Sequence, residues 1–431
     1  MLAIFADKGY ETIGVDLNSK IVDFINQGKA PFKETNLQNL INKNKGKIKA
    51  TTDLRKAILS TDICFIIVPT PSGENFYFKN NFILSAVKSI GEVLREKSGY
   101  FNVVITSTVM PGSTGSVIKD ALEYSSGRKI GPKLGLCYNP EFIALGTVVR
   151  DMLNPDMLLI GESDTKAGDM LEEIYSNTVE SNPVCHRMNW INAELCKIAV
   201  NTFVTTKISY ANMIADMCDH LEEADCNVVT EAVGADSRIG NKYLKGGLGY
   251  GGPCFPRDNK AFSALGKNLG VRIDLAEATD SINDYQTKRL MKIITSKVPS
   301  GSVISILGIS YKPNTPVFDE SQGLALAKEL IKANYIVKLS DPQAFQNLNA
   351  KDNLMSQNFL PLEEALKLAE VIVIMIPWNE YLDINFLKFH PSCIIDPWHI
   401  INPQNINKET NLIQTGIGNW KFKEKASSGD S

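Results

Sequence analysis

Over the first 190 residues, short apolar runs closed by turn residues alternate with amphipathic segments. Residues 2–8 have helical spacing, and ETIGVD, Glu11 to Asp16, reads as a short buried strand ending in an acid. A polar helix follows from Ser19. DICFIIVPTP, Asp62 to Pro71, predicts the next strand and Phe82 to Lys97 a helix. NVVITSTV, Asn102 to Val109, is a further strand that stops at a Pro-Gly turn with a helix beyond it. KLGLCYNP near Asn139 and MLLIG, Met157 to Gly161, add two more. Strands separated by helices at this spacing predict an α/β domain with a parallel, doubly wound, Rossmann-like sheet.

From about Asn192 the period becomes 3.6. Leu195, Ile198, Ala199, Thr202, Phe203, Thr206, Ile208, Ala211, Ile214 and Ala215 all suit one long helix, and no strand is expected before Val303. The third region repeats the first. VISILGIS, Val303 to Ser310, is a strand opening on Gly308; a helix follows from about Gly323 to Lys332; YIVKLSD ends at Asp341; and VIVIMIPW matches FIIVPTP. The expected organisation is a sheet domain at 1–189, a central helical domain at 190–295 and a second sheet domain at 296–431. The long helix bridges them and offers a surface for a homodimer.

The repeat exposes a gap. Asp341 follows Gly308 by a first strand's turn, a helix and a second strand, whereas the equivalent turn ahead of Asp16 would fall before Met1. That turn presents helix N-terminal amides to a dinucleotide pyrophosphate. Either the sequence as written begins late, the reading adopted here, or the chain has lost its phosphate cradle and binds no cofactor normally.

Composition narrows the function classes. The 431 residues carry 44% hydrophobic and 22% charged side chains and a net charge of -3, with no basic excess to hold nucleic acid or an anionic membrane. No apolar stretch reaches the roughly 20 residues that cross a bilayer, and no secretory leader is visible, so the cytoplasm is expected. Eight cysteines lie scattered without CxxC pairs and the four histidines form no cluster with them, Cys218 and His220 lying two apart and so on different helix faces, which speaks against a structural metal site; a disulfide framework fits poorly with so large a chain.

One cysteine stands out. GYGGPCFPRD, Gly249 to Asp258, sets Cys254 in a glycine-rich loop where backbone can crowd a ligand, with Arg257 and Asp258 able to favour a thiolate or orient its partners. A nucleophile and a small filler of a tight turn are equally compatible with that local pattern.

With DSRIGNKYLKGGLGYGGPCFPRD, Asp236 to Asp258, the chain closely resembles the nucleotide-sugar dehydrogenases of the UDP-glucose 6-dehydrogenase type, the UDP-glucose/GDP-mannose dehydrogenase family. ETIGVD, VPTP at 68–71, STV at 107–109, NPEF at 139–142, NPD at 154–156, the Lys197 to Asn201 helix and GISYKPNT at 308–315 extend the resemblance over essentially the whole chain, in order. It implies oxidation of a sugar-nucleotide primary alcohol to a carboxylate in two NAD-dependent steps. A first hydride transfer gives an aldehyde that a thiolate captures, a second gives a thioester, and water releases the acid.

By resemblance Cys254 is that thiol, and Asp258 assists the base and water chemistry. Lys197 and Asn201, four apart on one helix face, would stabilise the oxyanions; by spacing alone they read equally as a solvated lysine and a surface asparagine. Glu141 is the family's general base for thioester hydrolysis and Thr108 holds water or substrate. Taken alone, an acid at a helix start and a cap suit them. Asp16 would take the adenosine ribose hydroxyls, favouring NAD over NADP, while Pro69, Thr70 and Thr108 line the cofactor and Arg257 lies near its phosphates. For the sugar nucleotide, resemblance points to Glu141, Lys197, Asn201, Tyr243, Gly251, Phe255 and Lys312, and to Arg238 reaching across from a partner subunit.

The chain departs from the pattern at Ala144-Leu145, where many relatives are more polar, at Pro316-Val317 and Asp319, and at Trp398, where an arginine commonly meets the nucleotide. The substrate is therefore expected among UDP-glucose, foremost, UDP-N-acetylhexosamines and GDP-mannose. The alternative from another class is an inactive sugar-nucleotide-binding dimer.

Overall fold

The computed structural model describes residues 1–344 and 357–418, in two compact units, Met1–Ala199 and Val200–Ser431. The first unit runs α1 Leu2–Asp7, β1 Thr12–Val15, α2 Ser19–Asn26, α3 Leu37–Lys43, β2 Ile48–Thr51, α4 Leu54–Leu59, β3 Ile63–Ile66, α5 Asn81–Leu94 and β4 Phe101–Ile105. It continues through α6 Lys119–Ser126, β5 Leu134–Tyr138, α7 Val148–Leu153, β6 Met157–Glu162, α8 Thr165–Thr178 and β7 Val184–Met188. Carboxylates and amides start several helices: Asn18 accepts from Lys20 N, Asp53 from Lys56 N and Asp164 from Ala167 N. β4 and β5 are buried at every residue, as central strands of a sheet covered on both faces are.

The sheet order is β3-β4-β5-β6-β7, with β3, β4 and β5 parallel. MLLIG departs from the all-parallel expectation. β6 meets β5 antiparallel, Cys137 opposite Glu162 and Tyr138 opposite Gly161, and β7 then runs parallel to β6. The connection over 139–156 holds only the six-residue α7 as helix, so no full crossover helix is laid along β5, and β6 enters from the edge where β5 leaves.

β1 and β2 form a separate parallel pair, from Thr12 opposite Ile48 to Val15 opposite Thr51. Among the described residues no ladder joins β1 to β3. Helix α1 packs there instead, its Phe5 ring 5.4 Å from Phe65 of β3 and 6.4 Å from Tyr175 of α8.

Helix α9, Trp190–Cys218, opens within the first unit and closes within the second. The second unit continues with α10 Cys226–Ala235, α11 Phe255–Asn268, α12 Asp274–Lys297, β8 Val303–Leu307, α13 Gln322–Lys332 and β9 Ile336–Ser340. Then come α14 Leu362–Leu366, β10 Val371–Ile374, β11 Cys393–Ile395 and β12 Asn411–Ile413. The order β12-β11-β10-β8-β9 is parallel throughout, and β8 lies between β10 and β9 as a first strand should. Gly308 ends β8 at φ +98°, where a Cβ would strike Ile376.

Candidate active site

In the first unit the candidate groups gather at the carboxyl ends of β3, β4 and β5, the edge where such sheets hold ligands. Two loops are stitched together there. Ser107 Oγ donates to Val68 O at 2.7 Å and accepts from Val68 N at 2.8 Å, and Thr70 Oγ1 donates to Thr108 O at 2.8 Å. VPTP and STV are thus one surface, presenting Pro69, the buried Thr70 and the half-buried Thr108. Asp16 follows β1 half-buried, its carboxylate accepting from Asn18 N at 2.8 Å.

NPEF leaves β5 on a fixed path. Asn139 donates to Leu159 O at 2.9 Å and accepts from Tyr175 Oη at 2.6 Å. Glu141 follows, and its Oε1 is sealed from solvent with no hydrogen-bond partner. Burial pushes its carboxyl above the usual range, against the pull of the Met1 and Lys197 ammonium groups. It lines a cavity of ≈ 30 Å³ with Phe142, Asp151, Met152, Leu159 and Tyr175, large enough for a water molecule. Lys197, buried on α9, donates to Glu141 O at 2.6 Å and stands 4.3 Å over the Phe142 ring. The first unit therefore brings Lys197 and Glu141 together.

The second unit holds the thiol. Cys254 is the N-cap of α11 and the one exposed cysteine of the eight. Pro256 in the first turn removes no helical hydrogen bond, and Asp258 N closes that turn onto Cys254 O at 2.8 Å. The buried Asp258 carboxylate accepts from Asn201 Nδ2 at 2.6 Å and from Arg257 Nε and Nη2 at 3.0 and 2.9 Å. Arg257 thus meets its neighbour's carboxylate in this structure. Each of the other seven thiols is pushed up by burial, those of Cys64, Cys137 and Cys393 to about 12.

Around the cysteine, Phe255 stacks edge-on between Tyr243 at 6.2 Å and Tyr250 at 6.4 Å. Tyr243 sits at φ 62°, a conformation a bulky side chain rarely takes. Gly252, at φ +87°, lies where a Cβ would strike the Tyr311 ring, and Gly251 lies against the Glu320 carbonyl. Lys312 Nζ is 5.9 Å from the centre of the Tyr311 ring. Arg238 stands apart, exposed and paired with Asp236 of its own loop at 2.6 Å.

Three groups escaped the sequence reading. Glu194, buried three residues before Lys197, accepts from Gly112 N at 2.6 Å and Thr114 N at 2.7 Å, holding α9 to the loop after Thr108. Its acid character among apolar neighbours was the available signal. Asn283 and Gln322 grip the cysteine loop through its backbone and leave no motif.

Comparison with known proteins bears on the same residues. Three family models match, each described as UDP-glucose/GDP-mannose dehydrogenase family: the NAD binding domain over residues 1–179, the central domain over 191–285 and the UDP binding domain over 305–403. The UDP-glucose 6-dehydrogenase AglM of Haloferax volcanii is 34% identical over 93% of this chain and 94% of its own. The GDP-mannose 6-dehydrogenase of Pseudomonas aeruginosa is 33% identical over 78% and 76%. Among solved structures, a UDP-glucose dehydrogenase from the hyperthermophilic archaeon Pyrobaculum islandicum superposes with a TM-score of 0.86 at 28% identity, covering 96% of this chain and 94% of that one.

Proposed function

Because this chain belongs to the UDP-glucose/GDP-mannose dehydrogenase family, we propose that it oxidises the primary alcohol of UDP-glucose to the carboxylate of UDP-glucuronate, through Cys254. It is a nucleotide-sugar dehydrogenase with an NAD-binding first domain. The observation that carries the route is the exposed thiol at the start of α11, with a buried carboxylate one turn on that Asn201 and Arg257 hold.

The first unit fits the cofactor in the half-buried carboxylate of Asp16, placed for ribose hydroxyls, and in the stitched surface of Thr70 and Thr108. NAD, when bound, accepts hydride in each oxidation. The chain's own groups do the rest. The Cys254 thiolate adds to the aldehyde carbon, the carbonyl oxygen becomes an alkoxide, and loss of hydride from that carbon leaves a thioester. Lys197 and Asn201, one helical turn apart, present N–H donors along one face of α9 for the successive oxyanions. Lys197 also stays anchored to the Glu141 carbonyl. Glu141, with an unpartnered oxygen beside a water-sized cavity, takes a proton from the water that attacks the thioester carbon. The C–S bond then breaks and the thiolate returns. Tyr243, Gly251, Phe255 and Lys312 supply the sugar-nucleotide surface in this reading, with Arg238 from a second copy of the chain completing it.

The test is the ratio of products. Purified protein given UDP-glucose should form about two NADH per acid, and Cys254→Ala should form no acid. One NADH per product, or full turnover by the alanine variant, overturns the thioester route. Preferential turnover of GDP-mannose in a parallel panel overturns the choice of sugar.

A further inference from the structure

The loop that carries Cys254 lies in neither strand nor helix from Gly249 to Pro253, so its backbone needs partners from elsewhere. It finds them at Tyr250, four residues before the thiol. Tyr250 N donates to Asn283 Oδ1 at 2.7 Å, and Asn283 Nδ2 donates back to Tyr250 O at 3.1 Å. Gln322 Nε2 donates to the same carbonyl at 3.2 Å, and Thr287 Oγ1 donates to Gln322 Oε1 at 3.3 Å. The Tyr250 hydroxyl donates to Asp280 Oδ1 at 2.6 Å, three residues before Asn283 on α12. Both Tyr250 and Asn283 are 6% exposed.

A carboxamide is suited to this because it offers one acceptor and one donor side by side, matching the N–H and C=O of a single residue as a neighbouring strand would. The pair of bonds also fixes which end of the Asn283 amide is oxygen. Gly249 makes the approach possible, since a Cβ there would stand 2.7 Å from Asn283 Oδ1 and 2.9 Å from Gln322 Oε1. Further along, Gly252 N donates to Asp319 O at 2.9 Å. The loop is therefore gripped by α12 on one side and by the segment entering α13 on the other.

We propose that Asn283, with Gln322, is the positioning pair that sets the Cys254 thiol. Neither side chain touches the reacting atoms; each acts through the Tyr250 backbone. The inference rests on the reading of Cys254 as the nucleophile, and its test separates the two. Asn283→Asp keeps the shape and the acceptor but turns the donor into an oxygen facing the Tyr250 carbonyl. Gln322→Leu removes the second donor alone.

With melting temperature and circular dichroism as folding controls, Asn283→Asp should lose about 10- to 100-fold in kcat, because misplacement on the order of 1 Å costs that much. The KM for NAD should stay within about twofold, since the dinucleotide is held elsewhere. The rate of Cys254 alkylation by iodoacetamide, followed at that peptide by mass spectrometry, should change by at least about threefold, a readout that needs no turnover. Gln322→Leu should move kcat and alkylation the same way, by less. A folded Asn283→Asp with wild-type kcat and alkylation overturns the proposal; if that variant does not fold, wild-type behaviour of Gln322→Leu overturns it. Full turnover by Cys254→Ala would instead sink the nucleophile reading, while the alkylation comparison would still report on the grip.

Discussion

At the scale of single residues, the fold opposes ionising the very acid proposed as its base. Burial raises the Glu141 carboxyl, so the native state binds its proton more tightly than the unfolded chain does. Below the unfolded value of about 4.3 both states are protonated and nothing is lost; above it, ionisation costs native stability, in full once the raised native value is passed. Glu141→Gln should therefore melt higher than the wild type at pH 7 and no higher near pH 4. The same variant should lose about 10²- to 10⁴-fold in kcat, and the acid limb of the wild-type profile should lie above the ordinary carboxylate range. A Glu141→Gln protein that melts at or below the wild type at pH 7 contradicts the burial argument. Which residues could be seen in advance follows from how they act. In the proposed route Cys254, Lys197, Asn201 and Glu141 act through their side chains, and they sit in compact motifs. Asn283 and Gln322 work on the main chain of Tyr250, 33 and 72 residues away, and a main-chain partner leaves no residue type to match.

At the scale of elements, α9 is where the expected homodimer can be tested. Phe203, Tyr210 and Met217 recur every seven residues and are 62%, 43% and 55% exposed, and Val228 of α10 is exposed as well. A helix that leaves one stripe of large apolar side chains in water fits a second copy of the same chain as its cover. Replacing Phe203 and Met217 with glutamate should convert a dimer to a monomer in light scattering after size exclusion, without unfolding the chain; a wild-type monomer at micromolar concentration would refute the homodimer. The helix itself was legible because twenty-odd residues of one period outweigh local noise. The short strands were not. Ile48–Thr51, Val184–Met188, Cys393–Ile395 and Asn411–Ile413 are three to five residues long, and the orientation of β6 turned on a mostly irregular connection whose path no periodicity reports.

At the scale of the whole molecule, the two sheet regions share a plan but treat its key acid differently. Asp16 accepts a backbone N–H from Asn18 and is half-buried. Asp341, its counterpart, is buried and receives Ile309 N, Ser310 N and Oγ, Gln343 N, Ala344 N and Trp378 Nε1. A carboxylate so fully occupied by the protein's own donors has no lone pair left for a ribose, so calorimetric titration with NAD should saturate at about one equivalent per chain; two equivalents would contradict this. The repeat was visible in the sequence, but the difference in use was not, because it lies in the turn after Gly308 folding back on the acid.

The unequal burial of the cysteines has a consequence for chemical selectivity. In the proposed route an aldehyde forms that any accessible thiolate could add to as a hemithioacetal, and each such reversible diversion would draw material from the productive adduct. Burial raises seven thiols and encloses four of them, Cys137, Cys218, Cys226 and Cys393, so the fold leaves few sulfurs besides Cys254 open to such a diversion.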